Sequence, residues 1–166
     1  AEQLGLAAPS RLREIGLGVV FGVGAWFVVV VGLVLVALSV TALGGEALLP
    51  QQPPPAIEWI AGQPFLLRVA LALSAGVVEE LFFRGLLQPR VGLLFSTALF
   101  ALAHLSYDQP FVLVGVTALS VLYGLLVRWR QSLWAAITAH ALFDGIQLLI
   151  VIPTVLDQFY RAAPAP

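Results

Sequence analysis

The sequence contains no cysteine and no lysine, and only 10% of its 166 residues are charged. Without cysteine, disulfides, cysteine-ligated zinc and thiol nucleophiles are all excluded. The eight basic residues are all arginine, the net charge is −1, and no basic stripe is available for nucleic acid. Apolar residues fill the space that charge leaves: 60% of the chain is hydrophobic and the mean hydropathy is +0.99. Ordinary soluble domains are about 45–50% apolar and about 25% charged. So few polar groups could not cover the surface of a water-soluble fold of this size. Intrinsic disorder needs the opposite composition. The length suits one domain of about 150 residues, and that domain is composed for a bilayer.

A transmembrane helix needs about 20 mostly apolar residues. Residues 15–43 carry no charge and are too long for the hydrophobic region of a signal peptide. Residues 63–89 are apolar apart from Arg68, Glu79, Glu80 and Arg84, and residues 91–105, 111–127 and 133–152 complete the set. The expectation is an all-α, polytopic transmembrane helical bundle of about five spans. It is one membrane domain: an interfacial segment (1–13), a first span (14–43), a Gly/Pro-rich extracytoplasmic loop (44–63), a four-span core (64–152) and a tail (153–166). Prolines 50 and 53–55 forbid a continuous helix through that loop. A break is expected at Pro89–Arg90. Trp59, Trp129 and Trp134 read as interface anchors, and Trp26 as lipid-facing or core. Ala1 is compatible with a removed initiator methionine or with a trimmed chain.

Loop charges alternate along the chain. Arg11, Arg13, Arg90, Arg128 and Arg130 fall on one side; Glu46, Glu58, Asp108 and Asp157 fall on the other, with Arg161 an exception. The positive-inside rule puts the arginine side, and the N-terminus, in the cytoplasm. The lysine-free, Ala/Val/Leu-rich composition points to a GC-rich bacterial genome, hence a bacterial plasma membrane.

Several charges lie where lipid should be. A charged side chain near the bilayer centre costs about 2.5–3.5 kcal/mol on insertion scales, yet Glu79, Glu80, Arg84, His104, His140 and Asp144 all lie within apolar spans. Glu80 and Arg84 are four residues apart and share a helix face, so they can pair. Glu79 sits about 100° round the helix and has no cation on its own face. One carboxylate is thus structural and one is left for chemistry. Measured from the arginine loops, Glu79, His104, His140 and Asp144 lie ~12–20 Å deep at the helical rise. A bundle can gather them into one cavity opening toward the cytoplasm. Singly, His104 and His140 read as satisfied core histidines, with Asp144 a natural orienting partner for His140. Phe100, one turn before His104, reads as packing. The combination is what points to a site.

These residues also carry a resemblance. VVEELFFRGLL (77–87) matches an EExxxR motif, FALAH (100–104) an FxxxH motif, and LYGLLVRWRQSLWAAITAHALFD (122–144) a Gly-rich helix, basic turn and terminal HxxxN/D motif. In this order they resemble the CPBP family, the CAAX proteases and bacteriocin-processing enzymes also called Abi proteins. The likeness covers residues 64–152. It implies an intramembrane endopeptidase in which Glu79 and His104 activate the attacking water. His140 and Asp144 would occupy the positions that stabilise the oxyanion, supported by Glu80 and Arg84. Asn is the commoner family residue at position 144. An ionised aspartate cannot donate to an oxyanion, so Asp144 is either protonated or orients His140 instead.

Glu79, His104 and His140 could also form the two-histidine, one-glutamate set that catalytic zinc prefers, although no HExxH helix is present. A water-activating dyad without an obligatory metal or other cofactor is the favoured reading. The expected partners are membrane lipids and a membrane-embedded or lipid-modified peptide or protein substrate. The alternative is a non-catalytic immunity or scaffold membrane protein that binds a peptide or toxin. Transport lacks the inverted repeat usual in secondary transporters, and haem ligation by the histidines would leave EExxxR without a purpose.

Overall fold

The computed structural model describes residues 5, 6, 10–107 and 109–162, with side chains throughout that set except at 107 and 159–162. Residues 1–4 and 7–9 of the expected interfacial segment, Asp108 and the side chain of Arg161 lie outside the described residues.

The described residues are helical, with no strand among them. Helix α1 (Arg11–Ala42) starts at Ser10, whose side chain accepts from the Arg13 N–H. A short α2 (Pro55–Ala61) follows the Pro/Gly-rich stretch, with proline at its first turn, where no N–H is needed. Helix α3 (Phe65–Glu79) runs directly into a π-helical segment (Glu80–Leu87) and on into α4 (Gln88–Ala103). Helix α5 (Pro110–Arg130), then α6 (Leu133–Ile146), a second π-helical segment (Gln147–Val151) and α7 (Ile152–Ala162) complete the chain. The last helix therefore runs on beyond residue 152.

Among the described residues, three helical stretches are long and apolar enough by themselves to cross a membrane: Arg11–Ala42, Pro110–Arg130 and Leu133–Gln158. The charged α3 and the short α4 pack with them. The result is an all-α membrane bundle with long helices of alternating direction. Arg11, Arg13, Arg90, Arg128 and Arg130 lie at one end, where Arg130 clasps Glu14 through two bonds of 3.2 and 2.6 Å. Glu46 and Glu58 lie between the other ends of α1 and α3.

The chain turns later than the Pro89–Arg90 break read from the sequence. Proline is tolerated in the first turn of α4, and the backbone changes direction at Gly92, whose φ of 81° lies in the left-handed region.

Helix α6 is the centre. Leu133, Ala135, Ala136 and Ala139 are fully buried, and small residues let α1 and α3 close on this helix. A Cβ on Gly18 would lie 2.5 Å from the Ala135 carbonyl oxygen. On Gly22 it would lie 2.9 Å from Ala139 Cα, and on Gly76 it would lie 2.8 Å from Ala141 Cβ. Without a hydrophobic drive between helices in lipid, such close backbone approach supplies the association through packing. Arg68 is absorbed differently: its Nη1 donates to the Leu148 carbonyl at 2.9 Å, inside the second π-helical segment.

Gly22→Leu should therefore cost about 1–3 kcal/mol, the usual penalty of overpacking, and lower the thermal midpoint in detergent. Gly24→Leu, with nothing within 4 Å of its Cβ position, should leave that midpoint unchanged.

Candidate functional site

Glu80 is 0% exposed and Arg84 2% exposed. A buried charge must be compensated where it stands. Glu80 Oε1 lies 2.9 Å from Arg84 Nη1 and 2.8 Å from His140 Nδ1, so one carboxylate oxygen joins α6 to the π-helical segment. Arg84 Nη2 donates to the Ser120 carbonyl at 3.2 Å, and its guanidinium lies 4.4 Å over the Phe100 ring. The Ser120 hydroxyl donates to Thr97 Oγ1 at 3.1 Å. The freed backbone of the π segment is used as well, since Ser96 Oγ donates to the Phe83 carbonyl at 2.9 Å.

Glu79 points away from this cluster, as its position on the helix requires. Its Oε2 lies 3.9 Å from His104 Nε2 and 4.0 Å from His140 Nε2. Asp144 Oδ2 lies 3.5 Å from the same His140 nitrogen. His104 Nδ1 lies 2.8 Å from the Phe100 carbonyl, which can only accept, so Nδ1 carries the proton there. His140 Nδ1 faces the Arg84-paired carboxylate in the same way. Both imidazoles are thus held by Nδ1–H and turn Nε2 toward Glu79. Each is also held flat by an aromatic ring, Phe100 stacking on His104 at 4.5 Å and Tyr123 on His140 at 5.2 Å.

Separations near 4 Å are too long for direct hydrogen bonds. Glu79 Oε2 has no hydrogen-bond partner. The Glu79 side chain is 28% exposed and that of Asp144 26%, against 0% for Glu80. Glu79 and Asp144 are thus partly exposed, although Glu79 Oε2 itself is covered, and Glu80 is sealed.

The residues singled out from the sequence therefore converge: Glu79, His104, His140 and Asp144 around one gap, with Glu80, Arg84 and Phe100 behind it. Phe100 does more than pack, since its ring backs both His104 and Arg84 and its carbonyl fixes a tautomer. Sequence reasoning missed the Glu80–His140 bond and the parts played by Thr97, Ser120 and Tyr123. The polar pair Ser120 and Tyr123, three residues apart in an otherwise apolar helix, was the available signal.

Glu79, His104 and His140 supply suitable donors for zinc but stand wider apart than bound ligands. Tetrahedral ligands at about 2.0–2.2 Å from a metal stand ~3.4 Å apart, whereas these stand 3.9 and 4.0 Å apart. No trio of His, Asp or Glu among the described residues is arranged to hold a metal ion.

The family model for type II CAAX prenyl endopeptidase Rce1-like proteins matches residues 61–146. The chain belongs to this family. The matched stretch takes in α3, α4, α5 and α6 and every residue of the cluster, and leaves α1 outside. The uncharacterized protein YpbD of Bacillus subtilis strain 168 is 37% identical over 79 residues, 47% of this chain and 42% of that protein. The aligned stretch thus spans less than half of that relative. No solved structure matches significantly.

Two opposite outcomes are expected within this family member. Glu80→Ala strands Arg84 and unties His140, and should destabilise by about 3–5 kcal/mol, as breaking a buried pair does. Glu79→Gln breaks no bond and should keep the wild-type thermal midpoint. Tyr123→Phe removes a buried hydroxyl that has no partner, and should hold or raise the midpoint.

Proposed function

We propose that this chain is an intramembrane endopeptidase that hydrolyses a peptide bond in a membrane-associated or lipid-modified protein, using a water activated by Glu79 and His104. The supporting observation is the unpartnered Glu79 Oε2, 3.9 and 4.0 Å from two imidazole nitrogens.

Water in the gap gives a proton to Glu79 while His104 Nε2 accepts from its second O–H and fixes its orientation. The hydroxyl oxygen attacks the scissile carbonyl carbon, and the carbonyl electron pair becomes an oxyanion. His140, with Nδ1–H tied to Glu80, donates from Nε2–H to that oxyanion when it is protonated. Such preorganised donors commonly supply the largest share of rate enhancement. On collapse, the C–N bond breaks and Glu79 returns its proton to the leaving amine. The products are a new carboxylic acid, which keeps the second proton of the water, and an amine, which together balance the addition of one water.

A glutamate mechanism without obligatory metal is favoured by the wide spacing of the donors. The arginine-bearing helix ends favour a bacterial plasma-membrane orientation with N-terminus and site opening toward the cytoplasm.

The test is a comparison of membrane-protein C-termini in cells carrying wild type, Glu79→Gln or no protein. New C-termini should appear with wild type alone. If Glu79→Gln yields them equally, the hydrolytic reading fails and a scaffold or immunity role replaces it. On a substrate found in this way, Glu79→Gln and His104→Ala should each lower kcat by about 10²–10⁴, the usual contribution of a general acid–base group. A chelator should leave the rate unchanged, and inhibition reversed by added zinc would show a metal requirement.

A further inference from the structure

A second cavity lies at the arginine-bearing end of the bundle, apart from the Glu79 gap. Its volume is about 560 Å³. Buried Arg84 and Gln88 form its floor, Gly92 and the exposed Arg128 and Gln131 form its mouth, and the Gly5 backbone closes one side. Gly5 is held there by the Leu133 N–H, which donates to its carbonyl at 2.8 Å.

Three features define what this cavity can take. Among the described residues that line it none is acidic, while two are arginines. Arg130 is already clasped by Glu14, but Arg128 makes no ion pair among the described residues, so its charge is available to a ligand. Gly92, where the chain changes direction, lies in the lining. Around it, Leu94, Leu125 and Trp129 are exposed on the helix faces. A basic recess at helix ends, bordered by apolar faces and an interfacial tryptophan, combines the features that hold anionic lipid headgroups.

We infer that this cavity is a binding site for an anionic phospholipid. Its phosphodiester pairs with Arg128 at the mouth, its headgroup hydroxyls meet Gln131, and its acyl chains lie along the exposed faces of α4 and α5. The floor of the same cavity is the back of Arg84, whose other side holds Glu80. A headgroup seated there therefore steadies the support of His140. The site stands or falls independently of hydrolysis, because its test reads binding.

Purified protein in a neutral detergent is titrated with phosphatidylglycerol, with phosphatidylcholine, and with inorganic phosphate. Thermal midpoints are followed by tryptophan fluorescence and retained lipids are counted by native mass spectrometry. Phosphatidylglycerol should raise the wild-type midpoint and survive as a bound adduct; the other two should not. Arg128→Ala and Arg128→Gln should each need at least tenfold more phosphatidylglycerol for the same shift. Arg13→Ala, an exposed arginine at the same end but outside the cavity, should behave as wild type. Equal weakening in Arg13→Ala would reduce the effect to general surface attraction and overturn the site. A shift from phosphatidylcholine as large as that from phosphatidylglycerol would overturn the requirement for an anion. An equal shift from inorganic phosphate would assign the cavity to a soluble anion and overturn the lipid.

Discussion

A carboxylate removed entirely from water needs its compensation within bonding distance, and Glu80 receives it from two sides on a single oxygen. Arg84 comes from the same segment and His140 from α6, at 2.9 and 2.8 Å. Removing an ion from water costs several kcal/mol even after relaxation, so this cluster forms only when α3, α5 and α6 are docked. Arg84 needs the Ser120 carbonyl, and His140 needs the rotation of α6 that turns it inward. The facing of His140 and Glu79 is a consequence: once His140 Nδ1 is tied to Glu80, its Nε2 has to turn toward Glu79.

That dependence explains why α6 is lined with alanine and met by glycine. The Glu80–His140 bond tolerates only a few tenths of an ångström, and bulky residues at the contact would hold the helices apart. Gly76 on α3 and Gly18 and Gly22 on α1 bring backbones against Ile137, Ala141, Ala135 and Ala139. Helix α1 carries none of the site's chemistry. It supports the site by bracing α6 from behind, fastened at its start by Glu14 and Arg130.

What could be read beforehand was whatever depends on a single helix. The spacing of Glu80 and Arg84 gave their pairing, and the 100° step gave the separate direction of Glu79. The depth of His104, His140 and Asp144 indicated that they share a level. What could not be read depends on rotation between helices or on departures from α geometry. The Glu80–His140 bond needs the rotation of α6. The π-helical turns over Glu80–Leu87 and Gln147–Val151 leave no periodic signature, and such turns recur at functional sites. The corner at Gly92 was misplaced to the neighbouring proline, because proline is the stronger sequence mark although a helix's first turn accepts it.

Asp144 shows how the structure narrows a choice that the sequence left open. Four residues after His140, it read either as the orienting partner of that histidine or as a protonated donor. Glu80 already orients the ring through Nδ1 at 2.8 Å, while Asp144 stands 3.5 Å from the opposite nitrogen. Orientation by Asp144 would duplicate a stronger restraint. Its oxygen instead borders the same gap as Glu79, with a similar exposure. Two like charges around one small space repel each other unless a proton lies between them. An asparagine there would carry no charge and could still donate, so the aspartate at 144 adds to the cluster a carboxylate that the commoner family residue lacks.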